Sequence, residues 1–513
     1  VNLARTDIEP DRANFPLAIS SISVNMSSPT PIYTQLCTAI RSAIISGELP
    51  AGTLMPTSRE LAVALGVGRN TVNAAYSRLG AEGYLEAKFR RGTRVAAGLS
   101  SQIKTTPSAG ESRELPVAQE ADPQIGIAYA VERTLRELAD INSDTLPLSP
   151  YVLDPALFPR THLSRLLSEK CGRAPLEDSG FDTGAELKRF QNAVAVHIRR
   201  TNGIVCKPSQ IVPVASAESA VDLVARLTID PGHAVQMESP SWDVPRAIFR
   251  NLGARIYDMP SDSHGANPSL AVAPPARLLY VSPSVSFPHG AQMPEERRRL
   301  IVDHANVSGA IIFENDPYGE LLFTGARLKP IQAIEPNRVL YFGSFNCSLG
   351  PKIRASYLVV PESFVDPALK LWRIVSQGPD QIVLSAIATF IENGQYAVHL
   401  KKIRAIYSER MARLTELCRE RVAGATVVEP RGGLHLVLLL PPEIPSNRVY
   451  RIACRNKIGI LPLDRFCIGP NKENGIVLGI GMCPDRHRDQ LVAKLADIIR
   501  DAAQESASLT AAE

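Results

Sequence analysis

Apolar residues at Ile32, Leu36, Ile40 and Ile44 recur every fourth position. That spacing predicts one buried helix face, with Pro31 in the first turn and Gly47 as the stop. Thr57 and Glu60 form a capping-box pair that opens a short helix through Leu65, and a "GVG" turn follows. From Arg69 to Ala81, Val72, Ala75, Tyr76 and Leu79 fall on one face of another helix, and "YLEAK" and "TRV" then flank a basic turn as a hairpin. Helix, short helix, turn, helix and hairpin together predict a winged helix-turn-helix.

Beyond residue 145 the pattern changes. The apolar runs "IVPVAS", "AVQMES", "RLLYVSPS", "GAIIFEND", "RVLYFGSF" and "ASYLVV" alternate with helical stretches. Such alternation predicts an α/β domain with a mainly parallel sheet and functional loops at the strand ends. Between the two patterns, composition shifts to Ser, Thr, Pro, Ala, Gln and Glu, as in "LSSQIKTTPSAGESRELPVAQEADPQ", with one candidate helix in "AVERTLRELADI". The chain therefore reads as a mobile leader (1–29), a DNA-binding domain (30–96), a linker (97–145), a large α/β domain (146–505) and a tail (506–513).

A length of 513 residues fits several domains at roughly 100 to 200 residues each. No apolar run is long enough for a membrane span and no export signal opens the chain. The eight cysteines are scattered and never form C-x-x-C, which argues against a disulfide framework or a zinc site and for a reducing cytoplasm. The net charge of +4 has a location: residues 31–100 carry eight basic side chains and four acidic ones, so the excess there is 8 − 4 = +4 and the rest is balanced. A local basic excess predicts a polyanion partner for that segment.

A major-groove reader needs a helix whose first turn carries side chains that reach base edges and phosphates. Arg69, Asn70, Thr71 and Asn73 stand at such a start, Arg59 opens the preceding helix, and Arg90, Arg91 and Arg94 surround Gly92 in the wing. The whole stretch "PIYTQLCTAIRSAIISGELPAGTLMPTSRELAVALGVGRNTVNAAYSRLGAEGYLEAKFRRGTRV" resembles the GntR family of bacterial transcription regulators. The resemblance implies contacts to double-stranded DNA through Arg59, Arg69 and the hairpin around Gly92, and a dimer on two half-sites.

The remainder carries, in order, "DPALFPRTHLSRLLSEK", "GAELKRFQNAVAVHIRRTNGI", "ASAESAVDLVARLTIDPGHAVQMESPSW", "VSPSVSFPHGAQMP", "FENDPYGELLF", "YFGSFNCSLGPKIRASYLV" and "GGLHLVLLL". It resembles the fold-type I aminotransferases that are fused to GntR heads in the MocR subfamily. Pyridoxal phosphate chemistry needs a lysine for the imine, a carboxylate at the ring nitrogen, a phosphate cup and a stacking aromatic. Relatives read G-T-F-S-K-T-L-x-P-x-L-R-x-G-Y at the anchor, and here the lysine position is Cys347, while Arg354 remains at the phosphate-arginine position. Relatives read E-D-D where this chain has Glu314, Asn315 and Asp316, so the ring-nitrogen carboxylate is replaced by the neutral Asn315. The cup, S-G-A in relatives, is Ala215, Ser216 and Ala217, still offering backbone N–H groups; Trp242 takes the stacking position and Tyr318 can reach a ring hydroxyl.

These residues predict a DNA-binding regulator with a degenerate pyridoxal phosphate site. It senses a small-molecule effector, forms a homodimer, head-to-tail by resemblance, and works in the bacterial cytoplasm on the nucleoid. It has no covalently bound cofactor, no metal and no transaminase activity. Two other readings stay open: a regulator that holds pyridoxal phosphate non-covalently, and a working aminotransferase with a DNA-binding module. Lys352 as a substitute amine would require a rearranged loop, and Cys347 could act as a nucleophile if the pocket lowered its pKa, an inert buried thiol being the alternative.

Overall fold

The computed structural model describes residues 24–26, 28, 30–88, 92–96, 147–150, 153–173, 184–375, 378–469, 472–483 and 487–510. The leader before residue 24, most of the linker with its candidate helix, and Arg90 and Arg91 lie outside the described residues. The fold divides into two compact units, Val1–Asp122 and Pro123–Glu513.

In the first unit, helix α1 (Ile32–Ile45) starts one residue later than the sequence suggests, because Pro31 is extended (ψ 137°) and serves as the N-cap. Helix α2 (Ser58–Leu65) has the predicted capping box: the Glu60 N–H donates to Thr57 Oγ1 (3.3 Å) and the Thr57 N–H to Glu60 Oε2 (2.8 Å). It ends on Gly66 in the left-handed region (φ 65°), the conformation that a side chain would strain. Helix α3 (Arg69–Ala81) packs Val72, Ala75 and Leu79 against Leu36, Ile40 and Leu61. Each of the buried Val, Leu and Ile side chains contributes about 1.5–3 kcal/mol, so this small core holds the helices at their angle. Strands β1 (Leu85–Lys88) and β2 (Gly92–Val95) pair antiparallel, Leu85 opposite Val95.

The second unit is built on an eight-stranded sheet of β3 (Ile211–Val214), β4 (Ala234–Ser239), β5 (Arg255–Asp262), β6 (Gly265–Ala266), β7 (Leu278–Val281), β8 (Ile311–Asp316), β9 (Val339–Ser344) and β10 (Ser356–Val359), in the order β3-β10-β9-β8-β7-β4-β5-β6. The pairs from β9 to β5 are parallel, while β10 runs antiparallel to both of its neighbours. Every strand-like run singled out above is a strand; β5 escaped notice because Tyr, Asp and Pro break its apolar pattern. Leu340, Phe342 and Leu358 face helix α4 (Ala217–Thr228) on one side of the sheet, and Tyr341, Tyr357 and Val359 face Phe190 and Val194 on the other. Covering both faces explains the uninterrupted apolar runs. Gly343 is required here, since a Cβ would lie 2.3 Å from the ring of its cross-strand neighbour Tyr357. A second, antiparallel sheet of β11 (Thr426–Val428), β12 (His435–Leu439), β13 (Leu461–Pro462) and β14 (Gly475–Gly479) completes the unit in the order β11-β12-β14-β13.

Candidate functional site

On the first unit, Arg59, Arg69, Asn70 and Asn73 are exposed at the starts of α2 and α3, and Thr71 is half-buried. The Arg69 Nε donates to Ser58 Oγ (3.3 Å), which leans the side chain across the mouth of α2. The eight basic residues are not equivalent. Arg41 and Arg78 both pair with Glu82, at 2.5 Å and 2.9 Å, and their hydrogen bonds hold its carboxyl below the usual range. Arg94 donates to the Gly52 carbonyl (2.9 Å), so it fastens the hairpin to the core. Gly92 turns the wing at φ 78°, where a Cβ would also meet Leu54 at 3.0 Å.

On the second unit, Ser216, Ala217, Trp242, Asn315, Tyr318, Cys347 and Arg354 all line one cavity of about 500 Å³ at the carboxyl edge of the parallel strands. Open α/β sheets place ligand crevices at this edge. The antiparallel β10 brings Arg354 there: Ser356 stands opposite both Ser344 and Val214, so the residues just before β10 lie beside the ends of β9 and β3. Asn346 ties the three loops together, its Nδ2 donating to the Ala215 carbonyl (3.0 Å) and its Oδ1 accepting from the Ala355 N–H (2.9 Å). Arg354 is exposed on the cavity wall with φ 50°, a left-handed conformation that costs a non-glycine residue about 1–3 kcal/mol.

Cys347 sits in the short helix α5 (Asn346–Leu349). Burial pushes its thiol up to about 12, with the Glu218 carboxylate adding to the rise and the Ser344 and Tyr318 hydroxyls opposing it. This is the opposite of the lowered pKa that nucleophilic use requires, so burial favours the neutral thiol. Among the described residues no lysine lines the cavity. Lys352 is exposed and lines a neighbouring cavity of about 330 Å³.

Of the consecutive Glu314, Asn315 and Asp316, only Asn315 lines the cavity. Glu314 turns away to accept the backbone N–H groups of Ile331 (2.9 Å) and Gln332 (2.8 Å), and Asp316 accepts from the Tyr341 hydroxyl (2.7 Å). Neither acid compensates for the missing carboxylate. Asn315 is 4% exposed; its Nδ2 stands 3.5 Å from Ser282 Oγ and its Oδ1 has no partner. Behind it, Glu238 accepts from the Ser282 N–H (2.9 Å), and burial pushes its carboxyl up to about 7.

The cup offers less than its sequence suggests. The Ser216 N–H donates to Ser219 Oγ (2.9 Å) and the Ser219 N–H to Ser216 Oγ (3.3 Å), which leaves the Ala217 and Glu218 N–H groups for a ligand. Sequence reasoning missed several polar members of the wall, among them the two ionisable ones, Glu218 and His435. Both lie inside family words, "ASAESAV" and "GGLHLVLLL", read for fold rather than chemistry. His435 Nε2 donates to the Pro150 carbonyl (3.1 Å), and burial lowers the ring to about 4, so it is neutral at physiological pH. With a thiol for an amine, an amide for a carboxylate and an acid at the cup, the donor set does not fit a cofactor bound through an imine.

Among the described residues, no group of three His, Cys, Asp or Glu is arranged to hold a metal, and no helix is long and apolar enough to cross a membrane. Comparison with known proteins agrees with the two-unit fold. Residues 32–95 match the family described as bacterial regulatory proteins, gntR family, and residues 180–474 match aminotransferase class I and II. The chain is 28% identical over 473 residues to the probable rhizopine catabolism regulatory protein MocR of Rhizobium meliloti, covering 91% of this chain and 93% of that one. It is 28% identical over 485 residues to the HTH-type pyridoxine biosynthesis transcriptional regulator PdxR of Corynebacterium glutamicum, covering 94% and 99%. The α-aminoadipate aminotransferase LysN of Thermus thermophilus, solved with N-(5'-phosphopyridoxyl)-L-leucine, shares the fold at a TM-score of 0.65 and 22% identity, over 75% of this chain and 98% of that one. The chain belongs to the aminotransferase class I and II family and carries a GntR-family DNA-binding head, the arrangement of the MocR-subfamily regulators.

Proposed function

We propose that this transcription regulator reads operator DNA with its winged helix-turn-helix and uses the aminotransferase-like unit to bind a small effector, having given up transamination. The observation that carries the reading is Cys347 at the lysine position, on the wall of a cavity that no lysine lines among the described residues. Arg59, Arg69, Asn70, Thr71 and Asn73, with Arg90, Arg91 and Gly92 in the wing, are the DNA-contacting positions. Ser216, Ala217, Trp242, Asn315, Tyr318, Cys347 and Arg354 form the effector site. A ligand shifts DNA affinity only by binding one arrangement of the dimer better than another, so binding and DNA release are linked. The dimer is head-to-tail, and the protein acts in the cytoplasm on the nucleoid.

The test is mass spectrometry of the purified protein after incubation with pyridoxal phosphate and borohydride, beside an assay of amino transfer. The expected result is no pyridoxyl adduct on a cavity residue and no turnover. An adduct at Lys352 together with amino transfer overturns the loss of catalysis.

A further inference from the structure

Two oppositely charged side chains on the cavity wall are unspent. Glu218, in the first turn of α4, and Arg354, two residues before β10, are both exposed to the cavity, and neither pairs with the other or with any side chain among the described residues. They are neighbours by topology, since β3 runs directly into α4 and pairs with β10, Val214 opposite Ser356. A third group lies at the end of β8, three strands from β3 and two from β10, where the buried Asn315 Oδ1 has no donor. Strands stand about 4.8 Å apart, so by strand count this side chain is about 10 Å from the β10 end that carries Arg354 and about 14 Å from the β3 end that leads to Glu218.

Glu218 changes what the cup prefers. A helix start with two free N–H groups and an arginine attracts an anion. Here a carboxylate on the second residue of that helix already supplies the negative charge. A phosphate dianion entering beside it meets like charge, whereas an ammonium meets opposite charge.

We infer that the cavity takes a free amino-acid zwitterion in place of a phosphorylated cofactor, its ammonium on Glu218, its carboxylate on Arg354 and the polar end of its side chain on Asn315. The inference rests on the proposed effector-binding role of this cavity and names its ligand class. The ligand binds directly, with no covalent step. The Asn315 amide on the cavity wall, with its buried Oδ1 unpartnered, favours a polar side-chain end over an apolar one. A cavity of about 500 Å³ accommodates a side chain of that reach.

The experiment is a thermal-shift titration of the full chain with each of the twenty proteinogenic amino acids, with pyridoxal phosphate and with inorganic phosphate. It compares the natural protein, Glu218→Gln and Arg354→Gln, whose ligand-free Tm values report that they fold. The expected result is a concentration-dependent rise in Tm with at least one polar-ended amino acid, its affinity weakened about tenfold or more in both variants. Pyridoxal phosphate and phosphate leave the natural protein unshifted and stabilise Glu218→Gln. No shift with any amino acid, or pyridoxal phosphate binding the natural protein as well as it binds Glu218→Gln, overturns the inference. Binding to an operator selected from a random DNA pool, measured alongside, separates the two levels: the inference fails alone if operator binding persists, and the regulator reading fails if no sequence is preferred.

Discussion

The first unit and the cavity of the second solve the problem of holding polar groups ready for a partner in different ways. The winged helix exposes Arg59, Arg69, Asn70 and Asn73 on the outside of a core made by residues a few turns away, so the recognition surface follows from local helix geometry. Other charges on this unit are tied off on the surface, Arg41 and Arg78 on Glu82 and Arg94 on the Gly52 carbonyl. In the cavity the polar groups come from loops far apart in the chain: Arg354 and Glu218 have no side-chain partner among the described residues, and the buried Asn315 Oδ1 is unsatisfied. The difference teaches that the proposed DNA-reading surface depends on local structure, whereas the proposed ligand site depends on the sheet register that gathers its loops.

The sharpest way to break this comparison is to remove the head's core and leave the cavity alone. Leu79→Ala deletes a fully buried side chain and should destabilise the first unit by about 2–5 kcal/mol. Calorimetry should show an early transition for the head, with the transition of the larger unit unmoved; one shared shift would mean that the two units unfold together.

The next effect belongs to the polar layer beneath the cavity. The Glu238 carboxyl, at about 7 in the folded unit against an ordinary 4.5, holds its proton more tightly when folded. The native state therefore loses stability as pH rises through that window, and the loss is complete above about 7. The full change is up to about 3 kcal/mol. Glu238→Gln keeps an oxygen for the Ser282 N–H and should flatten denaturant-measured stability between these pH values. An unchanged slope would assign the titration to another buried acid, such as Glu314.

On the recognition surface, Arg69→Ala should cost about 1–3 kcal/mol of specific DNA affinity at a fixed salt concentration. Titration of a selected operator by fluorescence anisotropy reads this directly. A loss equal on all sequences would make Arg69 a phosphate contact. The smallest effect is the cap: Thr57→Ala should lower head stability by about 1 kcal/mol, seen as a small fall in the Tm of the first unit with pyridoxal-free ligand binding unaltered.

Much of this was legible from the chain. The α1 and α3 stripes, the Thr57–Glu60 box and the β1–β2 hairpin are signalled by residues within a few positions of one another, and the six apolar runs are strands because burial on both sheet faces demands such runs. The replacement of lysine by Cys347 was also plain, since its flanking residues align without a gap. Three features were not. Glu218 looks like an ordinary acid in a helix first turn until the structure puts it on the cavity wall. His435 reads as one polar letter in an apolar strand. The Ser216–Ser219 box spends the Ser216 N–H that the cup seemed to offer.

The sequence by itself determined the two-part organisation, the secondary structure of the head and the chemical identity of the residues where a catalytic amine and carboxylate would stand. These depend on periodicity and residue type, which are properties of short segments. Only the tertiary structure decided which polar groups are spent and which remain free: Glu314 and Asp316 turn to partners outside the cavity, while Asn315, Glu218 and Arg354 stay open to it. The reason is that β10 runs antiparallel between β3 and β9, and that register brings residues about 140 positions apart to one edge, a consequence of pairing that no local pattern carries.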